Sequence, residues 1–148
     1  MDPEVLAGRL ASLFHMDVDA THVYAEALEH VTDDDARRHF TNFRNEHDYH
    51  ATVLAAEIRA LGQEAPEARE DLAGEFAELV TAIRATRGTE GAVAAMRTAE
   101  RYHNRRYREA QSWETAPMLR EVLARFYTDE QRHLEYCEKR LEAPVGGR

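Results

Sequence analysis

Apolar residues recur along this chain at alternating spacings of three and four, in four long stretches. The first stripe is Leu6, Leu10, Leu13, Ala20, Tyr24, Leu28 and Val31. The second is Ala36, Phe40, Phe43, Leu54 and Leu61, the third Val93, Met96, Tyr107 and Ala110, and the fourth Leu119, Leu123, Phe126, Cys137 and Leu141. A helix that buries one face in a bundle has this spacing. The pattern predicts helices over 3–31, 34–61, 89–113 and 116–142. Asp2 caps the first, with Pro3 in its first turn, and Thr32 to Asp35 form a turn and a new cap. Gly62 followed by Pro66 stops the second, Thr89 caps the third, and Trp113 to Pro117 break the chain before the fourth. Between the second and third, Leu72, Phe76, Leu79, Val80 and Ile83 keep helical spacing, so a crossover with a short helix is expected over 68–87. A short loop, a long crossover and a short loop imply an all-α, antiparallel four-helix bundle in one domain, 1–142. Residues 143–148 read as a flexible tail.

Composition narrows the function classes. The net charge of −9 supplies no basic surface for a phosphate backbone, so nucleic acid is not an expected partner. No stretch reaches the about 20 apolar residues of a membrane span. The acidic start lacks the features of a signal peptide, and a single cysteine, Cys137, excludes an internal disulfide. Together these favour a reducing, cytoplasmic setting.

Each apolar stripe is interrupted near its middle, and the interruptions are ionisable. Asp17 sits between Leu13 and Ala20, and His47 and His50 between Phe43 and Leu54. Glu100 and His103 sit between Met96 and Tyr107, and Glu130 and His133 between Phe126 and Cys137. An antiparallel bundle would bring all of them to one level. Buried carboxylates and imidazoles are costly without partners, and a metal cluster gives the whole layer a common reason. Such ligands suit iron, manganese or zinc, and residues at i and i+3 present two of them from one helix face. Glu46, one turn before His50, could stand in for His47. His15, His22, His30 and His39 are expected at the surface, and Cys137 in the packing. The Asp33-Asp34-Asp35 run lacks the ligand spacing of a calcium loop.

The two halves of the chain align under a shift of 83 residues. Asp17 falls on Glu100, Tyr24 on Tyr107, Phe43 on Phe126, His47 on Glu130 and His50 on His133. A repeated helix hairpin about a pseudo-two-fold axis follows from this.

On these residues the chain resembles the ferritin-like superfamily, particularly rubrerythrin-like bundles and a less characterised group of bacterial ferritin-like proteins. The motif in each half of that family is a glutamate, a tyrosine seven residues on, and Glu-x-x-His in the next helix. Glu100, Tyr107, Glu130 and His133 match it. Asp17, Tyr24, His47 and His50 match with two departures, Asp17 and His47, both where glutamate is usual. The resemblance implies a site of two irons per chain, with manganese or zinc as alternatives. It implies Fe(II) oxidation by O2 or peroxide in iron handling or oxidative-stress protection, a ferroxidase-like or peroxidase-like oxidoreductase. Asp17, His47, His50, Glu100, Glu130 and His133 would hold the metals and His103 would be a further ligand. Tyr24, Tyr107 and Glu46 would support the ligands from outside. A homodimer or larger homo-oligomer is expected. Two other readings stay open: a zinc or manganese bundle serving structure or sensing without turnover, and a metal-free interaction module.

Overall fold

The structure is a computed structural model. It describes residues 1–142 apart from Glu70 and Ala73, so the tail expected at 143–148 lies outside the described residues. The described residues form five α-helices: α1 (Pro3–Leu28), α2 (Asp34–Ala60), α3 (Gly74–Ala85), α4 (Thr89–Ala110) and α5 (Pro117–Glu142). No strand occurs among the described residues.

The helix ends follow from local chemistry. The Asp2 side chain accepts the Glu4 N–H at 2.7 Å, and Pro3 occupies the first turn, where no N–H is needed. At the other end of α1, Arg37 donates to the carbonyls of Leu28 (2.8 Å) and Val31 (3.0 Å), closing the turn into α2. Asp33 caps α2 by accepting the Ala36 N–H. Gly62, with φ of 81°, turns the chain out of α2. Thr89 is not the cap of α4: Gly88, with φ of 87°, takes that position, and the Thr89 hydroxyl instead accepts the Thr32 N–H at 3.0 Å.

Residue pairs across the seams fix the topology. Tyr24 faces Glu100 while Asp17 faces Tyr107, so α1 and α4 are antiparallel. His39 stacks on Tyr136 while His50 meets Asp129, so α2 and α5 are antiparallel too. α1 with α2, and α4 with α5, form the two closest hairpins. The crossover must then run the length of the bundle, and α3 lies on it, packing Phe76, Val80 and Ile83 against α1 and α4. At the top, Arg140 of α5 holds Asp33 at 2.8 and 2.9 Å and Glu90 at 3.2 Å, tying three chain segments together.

Gly91, in the first turn of α4, marks where the crossover enters the bundle. A Cβ there would lie 2.6 Å from the Thr86 Cβ. Gly91→Ala gains helix propensity of about 1 kcal/mol. The clash outweighs it, with a cost on the order of 1–3 kcal/mol. Urea denaturation should show a net loss; a more stable variant would mean that the Thr86 turn yields freely.

Candidate metal centre

The stripe interruptions meet in the middle of the bundle. Asp17 comes from α1, His47 and His50 from α2, Glu100 and His103 from α4, Glu130 and His133 from α5, and all seven are fully buried. The i,i+3 pairs point two groups from one helix into the centre. Phe43 and Phe126, at equivalent positions of the two antiparallel halves, cover the layer from opposite ends. The Phe43 ring lies 4.2 Å from that of His133, and the Phe126 ring 4.0 Å from that of His50.

His47 is the hub. Its Nδ1 lies 2.7 Å from Asp17 Oδ1 and 3.4 Å from Glu130 Oε1, while its Nε2 lies 3.1 Å from Glu100 Oε1. His50 Nδ1 lies 3.3 Å from Asp17 Oδ1 and 3.4 Å from Glu130 Oε1. His133 Nδ1 lies 3.3 Å from Glu130 Oε2 and 3.6 Å from Glu100 Oε2. Two groups result, each with potential ligand atoms within 4.8 Å of one another: Asp17, His47, His50 and Glu130, and His47, Glu100, Glu130 and His133. Either group could hold a metal ion. His103 belongs to neither. Its Nδ1 is 3.3 Å from Glu100 Oε1, and its ring stacks on Phe76 of α3.

Several of these atoms lack a hydrogen bond. Glu100 Oε2, both Glu130 oxygens, and both ring nitrogens of His103 and of His133 are buried without one. Native cores rarely leave buried polar atoms in that state, and a cation bound in the layer would satisfy Glu100 Oε2, the Glu130 oxygens and His133 Nδ1. The donor set, carboxylate oxygen and imidazole nitrogen, fits iron, manganese or zinc.

A ring of outer contacts repeats across the pseudo-two-fold axis. The Tyr24 hydroxyl donates to Glu100 Oε1 at 2.7 Å, and the Tyr107 hydroxyl donates to Asp17 Oδ2 at 2.5 Å. Each half's tyrosine therefore holds the other half's carboxylate. The histidines follow the same rule. His50 Nε2 donates to Asp129 Oδ2 at 2.8 Å, and His133 Nε2 lies 3.5 Å from Glu46 Oε1. Such contacts fix the ring and leave Nδ1 facing inward. Arg132 joins the two, donating to Glu46 through both terminal nitrogens and to Asp129 Oδ1 at 2.9 Å. Beside this fork a 660 Å³ cavity opens between α2 and α5, lined by Phe43, Glu46, Arg132 and Tyr136 among others. The Phe43 ring that lines it separates it from the ring of His133.

Sequence reasoning did not single out Asp129 and Arg132. Asp129 lies 83 residues after Glu46, so the repeat carried a signal for it. Glu46 itself is not an alternative to His47: its carboxylate faces Arg132 and the outer edge of His133. Asp19, also buried, accepts from Arg69 of the crossover segment, away from the layer. Of the histidines expected at the surface, only His22 is well exposed; His15, His30 and His39 are half-buried. Cys137 is buried, and burial raises its thiol pKa well above the usual range.

Charge in the layer is mutually compensated. Burial alone would raise the Asp17 carboxyl, but hydrogen bonds from His47 and His50 hold it well below the usual carboxylate range. Burial would lower His47; the charges of Glu130 and Glu100 and the Asp17 hydrogen bond outweigh it and push it up to about 9. Burial likewise opposes the shift of His50, which Asp129 and Asp17 raise to about 12. Glu46 falls to about 2 against its own desolvation, held down by His133 and Arg132. With no metal, His47, His50 and His133 are raised by the carboxylates that face them, and Asp17, Glu46, Glu100 and Asp129 are lowered in turn.

A family model described as a domain of unknown function (DUF2383) matches residues 6–112, from α1 to the end of α4. Glu130 and His133 on α5 lie beyond that match. Comparison with curated proteins and with solved structures gives no match. No described helix is long and apolar enough to cross a membrane.

Proposed function

The chain belongs to the DUF2383 family, of the ferritin-like helical type, and from that premise we propose that its central layer is a two-metal site that handles iron. One observation carries the reading. Two overlapping groups of four buried ligand atoms share the core of one bundle, and several of those atoms make no hydrogen bond. Structural packing alone gives no reason to bury three carboxylates and three histidines there.

In this reading Asp17, His50, Glu100 and His133 each serve one side, while His47 and Glu130 face both. Fe(II) is the substrate: it gives up one electron to O2 or peroxide and leaves the reaction as Fe(III). The chain's own part is binding and orientation. Tyr24 and Tyr107 hold the carboxylates by their hydroxyl protons, Asp129 and Glu46 face the outer histidine nitrogens, and the Phe43 and Phe126 rings cover the layer from its two ends. The cavity between α2 and α5 would admit the ion and the oxidant. The described residues offer a lone cysteine, so the electrons come from the bound iron or from a partner protein.

The alternative of a zinc or manganese bundle without turnover has one observation in its favour. His47 replaces a carboxylate of the usual pattern, which removes a negative charge and favours a lower-valent metal.

Elemental analysis of protein from iron-supplemented cells separates these, with a Glu130→Ala, His133→Ala double variant beside it. The expected result is about two irons per chain in the native protein and none in the variant, followed by faster Fe(II) oxidation than in buffer. One zinc or manganese per chain would replace the iron reading with the alternative. No metal in either protein, and no change in melting on adding Fe(II), would end both.

A further inference from the structure

We propose that His47 bridges two divalent metal ions through its two ring nitrogens, as an imidazolate, with Nδ1 on one ion and Nε2 on the other. The inference rests on the two-metal reading and specifies how that site is joined.

The two nitrogens already face different groups. Nδ1 lies 2.7 Å from Asp17 Oδ1, and Nε2 lies 3.1 Å from Glu100 Oε1. Glu130, the repeat equivalent of His47, divides in the same sense. Its Oε1 lies 3.4 Å from the Nδ1 atoms of His47 and His50, and its Oε2 lies 3.3 Å from His133 Nδ1. One half-site is therefore Asp17, His50, Glu130 Oε1 and His47 Nδ1. The other is Glu100, His133, Glu130 Oε2 and His47 Nε2. Both groups of candidate ligands need His47. A carboxylate at that position could reach two ions with its two oxygens; a histidine can do so only with both nitrogens.

The ring is held for this. It packs against the rings of Tyr24 (5.6 Å), His103 (4.8 Å) and His133 (5.1 Å) in a fully buried layer, so it cannot turn to give both half-sites one nitrogen. Charge points the same way. Asp17, Glu100 and Glu130 carry three negative charges, and an imidazolate adds a fourth, which balances two divalent ions. A neutral His47 would leave a net positive charge in the bundle core, which is costly. The proton balance is explicit. In the metal-free protein, the protonated ring donates one N–H toward Asp17 and the other toward Glu100. Two metal ions take the places of those two protons, which leave to solvent, and no electron moves.

An imidazolate spans its full ring width, so the two ions should sit farther apart than the about 3.5–4 Å of oxygen-bridged two-metal sites. The test is a crystal structure of the full chain loaded with Zn(II), with metal content and Zn(II) titrations of His47→Gln and His47→Glu. The expected result is two Zn(II) ions clearly beyond 4 Å, each on one nitrogen of His47. His47→Gln should lose one Zn(II), with affinity for the second reduced by about 100-fold or more. His47→Glu should regain it at the shorter, carboxylate-bridged spacing.

Two Zn(II) ions at the short spacing, or with one His47 nitrogen unligated, would overturn the bridge and leave the two-metal reading standing. So would a folded His47→Gln that binds two ions as tightly as the native chain. No Zn(II) in the native layer would overturn both. The native spacing decides the matter even if a variant fails to fold.

Discussion

Raising the pH from 6.5 to about 9 is expected to weaken the metal-free fold and to strengthen its hold on metal. His47 goes from 6.5 in the unfolded chain to about 9 in the fold. A group raised on folding contributes its stability fully below the unfolded value and loses it as the pH climbs through the folded one. A shift of that size corresponds to about 3 kcal/mol. His50, raised to about 12, carries the decline further. The carboxylates act in the opposite window. Glu46, lowered to about 2, and Asp17 and Glu100, lowered further, contribute above about pH 4 and lose their contribution as the pH falls. The metal-free protein should therefore be most stable between about pH 4 and 6.5. Metal reverses the upper limb. Each ion displaces imidazole protons, so binding tightens as the pH rises. A metal at 100 times its dissociation constant adds about 2.7 kcal/mol. Urea denaturation at about pH 6 and about pH 8.5, with chelator and with Zn(II), reads both slopes. A flat metal-free profile, or a Zn(II) gain that shrinks at the higher pH, would mean that these imidazoles do not face the carboxylates as the structure has them.

That contrast also explains what the sequence could reveal. Residues that point to the bundle axis interrupt an apolar stripe of regular spacing, so Asp17, His47, Glu100 and Glu130 stand out against it. The interruption gives their depth as well, because antiparallel helices of similar length meet at mid-height. The crossover was readable for a similar reason: Phe76, Val80 and Ile83 repeat at helical spacing after the Gly62 stop. Residues beside the stripe carry no such mark. Asp129 and Arg132 lie on α5 positions that look solvent-facing, and their role arises only from what α2 sets opposite them, His50 and Glu46. Asp19 sits on the flank of α1 that the crossover covers, a second buried face that a single seam does not forecast. His103 illustrates the converse. It interrupts the α4 stripe as regularly as Glu100, yet its repeat equivalent is Ala20, and Phe76 takes up the face its ring presents. The stripe gives burial; only the packed helices tell which buried atoms converge.

Removing one charge from the layer should cost far more than removing them all. Asp17→Ala leaves the imidazoles of His47 and His50 without a carboxylate they both meet, and the Tyr107 hydroxyl without its acceptor. Breaking a buried pair by deleting one partner costs about 3–5 kcal/mol, because the other charge stays buried. In the metal-free protein Asp17→Ala should lose stability in that range, with the midpoint in urea falling and the slope unchanged. A collective variant should behave differently. Replacing Asp17, His47, His50, Glu100, His103, Glu130 and His133 by Leu or Met, with Tyr24→Phe and Tyr107→Phe, removes all seven groups of the layer together. Exchanging a buried ionic cluster for apolar groups of similar volume is neutral or stabilising by about 1–4 kcal/mol. That variant should match or exceed the metal-free native chain in urea while taking up no metal. If it were instead the less stable of the two, the ionic layer would be holding the bundle together and a structural role would suffice for it. If it is the more stable, the layer opposes folding in the absence of metal, and the reason for seven buried ionisable groups in one plane lies in what they bind.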